Sequence, residues 1–314
     1  MIRLRWIQDA AGQAGEHGAE AVQAVEHAAD AAEHSEVFDL GATLGHHILN
    51  SSEWELPFFT WDLPHFEPIH LGPVTLDLSF SKHLMLLFLA AALTLVMVTW
   101  VARTVSKKID DAPTGFANAV EAIVMFFRDD VCKVNIGHGY ERFTPFVLTL
   151  FFFILNMNLL GLVPWGGSAT GNLSVTAALA IITFLVVEVG GLLKLGPIGY
   201  AKTIFFVPPG TTGITAVIML LIMTPVEFLS KLTKPFALAI RLFANMTAGH
   251  MLIFTLLGLI FVFSNTGAVQ VGVAFGSFLM VSAIMLLELL VALIQAYIFA
   301  MLAAVFIGLM QHEH

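Results

Sequence analysis

Apolar residues in this chain fall in long unbroken runs. Counting Asp, Glu, Lys and Arg, residues 83–102, 143–187, 203–226 and 242–287 carry no charge. About 20 apolar residues in helical form span a bilayer core, so 83–102 predicts one membrane span. The run 143–187 is too long for one span and contains Pro164-Trp165-Gly166-Gly167-Ser168-Ala169-Thr170-Gly171-Asn172. Gly and Pro at that density mark a turn, which predicts a hairpin of spans at 144–164 and 173–193. From 213 to 263 the chain is again almost wholly apolar, interrupted by Glu227, Lys231, Lys234 and Arg241. After the turn signal Ser264-Asn265-Thr266-Gly267, a last apolar segment runs from 269 to 310, interrupted by Glu288 and Gln295. As helix, each of these two segments is ~60–75 Å long, against a bilayer core of ~30 Å. They must lie strongly tilted, or be broken at Pro225 and Pro235.

One further segment has a different pattern. Phe116, Val120, Ile123, Val124, Phe127, Val131 and Val134 recur at helical spacing, with Glu121, Arg128 and Asp129 on other faces. Residues 114–136 therefore predict an amphipathic helix on the cytoplasmic surface. The expected fold class is an all-α polytopic membrane protein: five membrane-spanning helices plus this surface helix, the last two spans long and strongly tilted. Residues 76–314 form the membrane domain.

Composition agrees with the pattern. Of 314 residues, 58% are apolar and 12% charged, against ~45–50% and ~25% in a soluble domain. That excludes a soluble enzyme and a disordered chain. Fourteen Lys and Arg against 23 Asp and Glu exclude a nucleic-acid binder. The single Cys allows no internal disulfide, and no Cys-based zinc site is expected. No P-loop, GxGxxG or HExxH is present, so no catalytic site, metal or cofactor is expected in this chain.

The placement of charge sets topology. Residues 103–142 carry Arg103, Lys107, Lys108, Arg128, Lys133 and Arg142, and 194–202 carry Lys194 and Lys202. The turns at 165–172 and 264–268 carry no Lys or Arg. Basic loops face the cytoplasm, which puts the N-terminus outside and the C-terminus inside. Residues 1–82 hold 13 of the 23 acids and 7 of the 12 His. Residues 1–75 read as an acidic, His-rich extension on the outer, periplasmic side. The stretch 9–50 is weakly helical or unstructured and lacks the apolar core of a signal peptide. Its acids argue against a mitochondrial transit peptide and favour a bacterial inner membrane.

The charges left at membrane depth carry the chemistry. A central Arg costs ~2.5–3.5 kcal/mol on insertion scales and faces a cavity or a partner. Arg241, in Leu238-Ala239-Ile240-Arg241-Leu242-Phe243-Ala244, is far from any loop signal. At about 100° per residue, Lys234, Arg241 and Asn245 lie within about 40° of one another, and Glu227 about 40° from Arg241. His250 lies about 180° round from Arg241 and should address another neighbour. Glu288 and Gln295, seven apart, share one face of the last helix. Glu288 is the natural partner of His250, and such a pair hands on protons near neutral pH. Lys231 and Lys234 have a plainer reading as side chains reaching the cytoplasmic headgroups. Glu188, alone in the third span, lines an access path or only caps the hairpin's cytoplasmic end. Ala237, Ala244 and Ala248 beside the Arg would let another subunit's helices approach. The GxxxG of Gly272 and Gly276 reads as ordinary packing within the chain.

These residues resemble a known family. Leu229-Ser230-Lys231-Leu232-Thr233-Lys234-Pro235 with Ala239-Ile240-Arg241-Leu242-Phe243-Ala244-Asn245-Met246-Thr247-Ala248-Gly249-His250 is similar to the signature of subunit a of F-type ATP synthases. So is Glu288 followed by Val291-Ala292-Leu293-Ile294-Gln295-Ala296-Tyr297. Asn156-Met157-Asn158-Leu159-Leu160-Gly161-Leu162-Val163-Pro164 and Asn172-Leu173-Ser174-Val175-Thr176 match as well. The resemblance covers about 75–314 and implies a stator channel beside a rotating ring of c subunits, with a b-subunit peripheral stalk and the rest of the synthase as partners. It implies that Arg241 faces the ring carboxylate. It places Asn245, His250, Glu288 and Gln295 in the outer half-channel and Glu227 in the cytoplasmic one, with Lys234 and Glu188 as further candidates. His250 before Glu288 is the order of mitochondrial-type members; some bacterial members have the two exchanged. Ala237 stands where some relatives have Ser. The competing reading is a stand-alone secondary transporter, but no internal repeat of the expected kind is visible.

Overall fold

Each of the five charge-poor stretches forms a helix long and apolar enough to cross a membrane. In the computed structural model these are α1 (Lys82–Ser106), α4 (Tyr140–Gly161), α5 (Leu173–Ile204), α6 (Ile214–Val262) and α7 (Ala268–His312). Between α1 and α4 lie α2 (Phe116–Phe126), a π-helical turn (Phe127–Cys132) and α3 (Lys133–Ile136). The structure describes residues 53–56, 59–62, 69–71, 74–76, 81–106, 115–163, 168–205, 213–263 and 267–312. All of them belong to one unit spanning 44–314. The reading of 9–50, most of the extension 1–75, and parts of both turns lie outside the described residues.

Within that extension the chain adds two antiparallel hairpins to the helical plan: β1 (Glu53–Leu56) with β2 (Phe59–Asp62), and β3 (Ile69–Leu71) with β4 (Val74–Leu76). Their register sets Trp54 opposite Trp61 and Leu56 opposite Phe59. Glu53-Trp54-Glu55-Leu56 and Phe59-Thr60-Trp61-Asp62 alternate polar and apolar residues, the period-two signal of a strand.

The last two helices are continuous over 49 and 45 residues. Pro225 and Pro235 lie inside α6 and do not break it. At 1.5 Å per residue α6 is about 74 Å long, so a ~30 Å core holds it only at a steep inclination. A Pro in a membrane helix is tolerated where neighbouring helices support the freed backbone groups, and α6 packs along both α5 and α7. The break falls instead in α5, at Gly196 (φ 69°, ψ 171°) followed by Pro197. The left-handed region favours Gly, and Pro is at home in the first turn of the helix that restarts.

The core lies where α4 and the π-helical segment meet α7. A row of small residues on α7 (Ala292, Ala296, Ala300, Ala303 and Ala304) is fully buried. Small side chains let helices approach closely where no hydrophobic drive separates helix from lipid. At Gly308 the approach is closest: a Cβ there would overlap the backbone carbonyl of Asn135. Phe127 packs at a tilt against Phe151, 4.6 Å between ring centroids, and meets Tyr297 edge-on.

The amphipathic segment forms, but with a changed register. Val120, Phe127 and Val131 are buried as predicted, whereas Phe116 and Val134 are exposed. The π turn explains Val134. Its wider i→i+5 spacing brings Cys132 and Ile136 inward in place of Val134. Arg128 forks onto Asp129 at 2.8 and 3.0 Å, and that hydrogen bonding holds the Asp129 carboxyl below the usual carboxylate range. Gly272 and Gly276 are exposed with nothing against a built Cβ, so this GxxxG makes no packing contact among the described residues.

Candidate functional site

Arg241 lies exposed on α6, on a strip with Ala237, Ala244, Asn245 and Ala248, all exposed. Phe236 and Ile240 extend the same apolar surface. Asn245 reaches sideways from the strip and donates to Gln295 Oε1 on α7 at 3.2 Å. Gln295 itself is buried, so the Arg-bearing strip is tied to the interior through one amide pair.

Along α6, one cavity lies on each side of Arg241. The first, of about 330 Å³, sits beside the turn joining α4 to α5. Thr247 and His250 of α6, Glu288 of α7, and Lys82 and His83 of α1 line it. Thr247 Oγ1, His250 Nε2 and both Glu288 carboxylate oxygens are buried there without a hydrogen-bond partner among the described residues. His250 and Glu288 thus share one chamber, as the helix faces predict, but do not bond each other. Gly249 makes room for the carboxylate: a Cβ at this position would overlap Glu288 Oε1.

The family-like Asn motifs brace this chamber. Ser168 and Thr170 share a hydroxyl hydrogen bond of 2.8 Å. Thr170 donates to Asn158 Oδ1 at 2.9 Å. Asn158 donates on to the carbonyl of Ala292 on α7 at 3.4 Å. Asn156 donates to Thr94 Oγ1 of α1 at 2.9 Å. Asn172 caps α5 by accepting from the Ser174 N–H at 2.8 Å. These neutral amides cross-link three helices at a depth where an unpaired polar group is costly.

The second cavity, of about 40 Å³, lies beside α5 and is lined by Glu188, Glu227, Lys231 and Lys234. Lys231 turns into the protein rather than outward: it is 8% exposed. Its ammonium lies 3.9 Å from Glu188 Oε2, donates to Thr203 Oγ1 at 3.0 Å and stands over the Tyr200 ring. The Tyr200 hydroxyl donates to the same Glu188 oxygen. Glu188 precedes the Gly196 kink, whereas Tyr200 and Thr203 follow it. The Lys231 ammonium therefore pins the two parts of α5 to α6. Lys234 is half-buried with its ammonium over the Phe306 ring.

The structure therefore divides the predicted residues into three groups: Glu227, Lys234 and Glu188 at one cavity, Arg241 and Asn245 on the exposed strip, and His250 and Glu288 at the other cavity. Gln295 is buried against the strip. Tyr200 and His83 join these sites without a sequence signal of their own, and Lys231, which the sequence reads as reaching the headgroups, joins them too. Lys82-His83 sit at a predicted span end, where basic residues ordinarily read as interfacial. Among the described residues no three His, Cys, Asp or Glu side chains cluster as metal ligands would.

The chain is thus a polytopic α-helical membrane protein with charged groups held at membrane depth. Residues 84–308 match the family model described as ATP synthase A chain, and the chain belongs to that family. It is 47% identical over 270 residues to ATP synthase subunit a of Chloroherpeton thalassium, covering 85% of this chain and 76% of the relative. The subunit a of Chlorobium phaeobacteroides strain BS1 is 43% identical over 305 residues, covering 95% and 85%. That of Myxococcus xanthus is 47% identical over 245 residues, covering 76% of each. Family membership and the five apolar helices make this a multi-pass membrane protein of ATP synthesis and ion transport.

Proposed function

We propose that this chain is the proton-translocating stator of an F-type ATP synthase in a bacterial inner membrane, held by a b-subunit stalk against a rotating c-ring. The observation that carries the reading is the order along α6: a polar cavity, the exposed Arg241, then a second polar cavity. The cavity of His250 and Glu288 opens toward the outer side as one half-channel. The cavity of Glu188, Glu227, Lys231 and Lys234 serves the cytoplasmic side as the other. The N-terminus lies outside and the C-terminus inside.

The mechanism is electrostatic. A ring carboxylate in lipid must be protonated, because an isolated charge there is costly. Facing the fixed guanidinium of Arg241, it is stabilised as the anion and its proton leaves toward the cytoplasm. The same positive charge blocks a proton from passing directly between the cavities. His250 and Glu288 reload the site from outside through water. The small residues Ala237, Ala244 and Ala248 let a ring helix come close enough for Arg241 to act. Asn245 and Gln295 hold the strip in register with α7.

Arg241→Ala tests this reading. ATP-driven acidification of inverted vesicles falls to background while the complex still assembles and the head hydrolyses ATP. Acidification at the parental rate would remove the assignment.

A further inference from the structure

We propose that His83 is a proton-transfer residue of the cavity that holds His250 and Glu288, relaying protons between the outer solution and that pair. The inference rests on the half-channel reading above and adds a group from a different helix. Thr247, His250 and Glu288 leave four polar atoms unpartnered around a cavity of about 330 Å³. A buried polar atom without a partner costs ~1–3 kcal/mol. Water occupies about 30 Å³ per molecule in the liquid, so the cavity beside these atoms is large enough for several waters. A relay residue at this wall need only meet that water.

His83 fits by position and by tautomer. It is 5% exposed, lies at the start of α1 and lines the same cavity. Its Nδ1 lies 2.9 Å from the carbonyl oxygen of Ser168. A carbonyl only accepts, so Nδ1 carries the hydrogen and Nε2 is left as the basic nitrogen. Ser168 is itself held through Thr170 and Asn158 to the carbonyl of Ala292. Ala292 lies one turn beyond Glu288, so a line of hydrogen bonds registers the ring against the helix that carries the carboxylate. The charged and titratable groups sharing the chamber are Lys82, His250 and Glu288. The step moves one proton in and one out. Nε2 takes a proton from water on the outer side, and the imidazolium returns a proton from Nε2 to the water leading to Glu288 and His250. The Nδ1–H···O=C bond is kept throughout.

The test uses the whole complex in inverted vesicles, whose lumen is the outer side. ATP synthesis is driven by a fixed total proton-motive force while the lumen pH is varied. His83→Asn places an amide N–H where Nδ1–H stood and keeps the Ser168 bond, but it does not titrate in this range. The inference expects a rate about 5–10-fold lower, within the range general acid–base groups contribute, and loss of an inflection in the lumenal pH profile. Wild-type rate and profile in His83→Asn would overturn it, because a merely structural His is replaced by this amide. If His83→Asn does not accumulate in membranes, His83→Ala with imidazole in the lumen decides: rate recovery supports the relay and no recovery overturns it. Arg241→Ala in the same membranes separates the two claims. Full synthesis there sinks the half-channel reading, whereas a silent Arg241→Ala beside wild-type behaviour of His83→Asn sinks only the relay.

Discussion

Beside the kink-side cavity of about 40 Å³, which Glu188 and Lys231 line, these two hold each other and bond to Tyr200 and Thr203. The hairpin-side cavity is about eight times larger, and at its wall His250 Nε2 and both Glu288 oxygens have no hydrogen-bond partner among the described residues. Both sites bury charge-bearing groups in the same bundle, but they solve the desolvation problem differently. The first pairs Glu188 with Lys231, which holds a kinked helix in place and leaves Glu227 and Lys234 of that cavity for the proposed cytoplasmic path. The second leaves its groups without protein partners among the described residues, and the proposed function uses them to exchange protons. The difference teaches that a buried ionisable residue at membrane depth is not by itself a transport group. Its partners decide whether it works as a fastener or as a relay.

The largest effect expected from this contrast is on stability at the kink side. Lys231→Met leaves the part-buried Glu188 carboxylate with Tyr200 but without its cation, and breaking a buried pair costs up to about 3–5 kcal/mol. Thermal denaturation of the purified complex should show this chain leaving the assembly at a clearly lower temperature. The double change Lys231→Met with Glu188→Gln should recover most of that loss, since neither residue is then charged. A single mutant as stable as the parent would mean that the pair fastens nothing.

Next in size is the opposite behaviour at the hairpin side. Glu288→Gln removes a carboxylate that has no hydrogen-bond partner among the described residues, so the assembly should keep its thermal midpoint. Proton pumping should fall by about 100-fold, the range of a general acid–base group. A fall in midpoint with pumping retained would make Glu288 a fastener of the bundle and remove it from the proposed proton path.

Much of this was legible in the sequence, for physical reasons. Span positions follow from charge-free runs, because the bilayer excludes charge almost regardless of packing. Arg241, His250 and Glu288 stand out for the same reason, and their opposed helix faces follow from the 100° step. What the sequence concealed depends on packing between distant segments. Pro225 and Pro235 signal a break that neighbouring helices suppress, while Gly196-Pro197 makes one. The π turn at 127–132 has no reliable local signal, so Val134 reads as buried and Ile136 does not. Lys231 and His83 look interfacial until α5 and the hairpin turn fold over them.

The smallest and sharpest effect concerns Gly249. A methyl group there would overlap Glu288 Oε1, and the neighbouring Cδ lies 2.6 Å from the same point. The obstructing atoms are the far end of a flexible side chain, so Gly249→Ala is relieved by swinging the carboxylate aside within the cavity. Stability should change by no more than about 1 kcal/mol. The carboxylate, however, is displaced from its place in the cavity it shares with His250. A shift on the order of 1 Å costs up to about 100-fold in a positioned group, and part of that is recovered through bridging water, so pumping should drop about tenfold. Gly308→Ala supplies the contrast, because there the methyl meets the rigid backbone carbonyl of Asn135 and assembly itself should suffer. If Gly249→Ala pumped normally, the position of the Glu288 carboxylate would not matter to transport, and the hairpin-side cavity would be one more packing site.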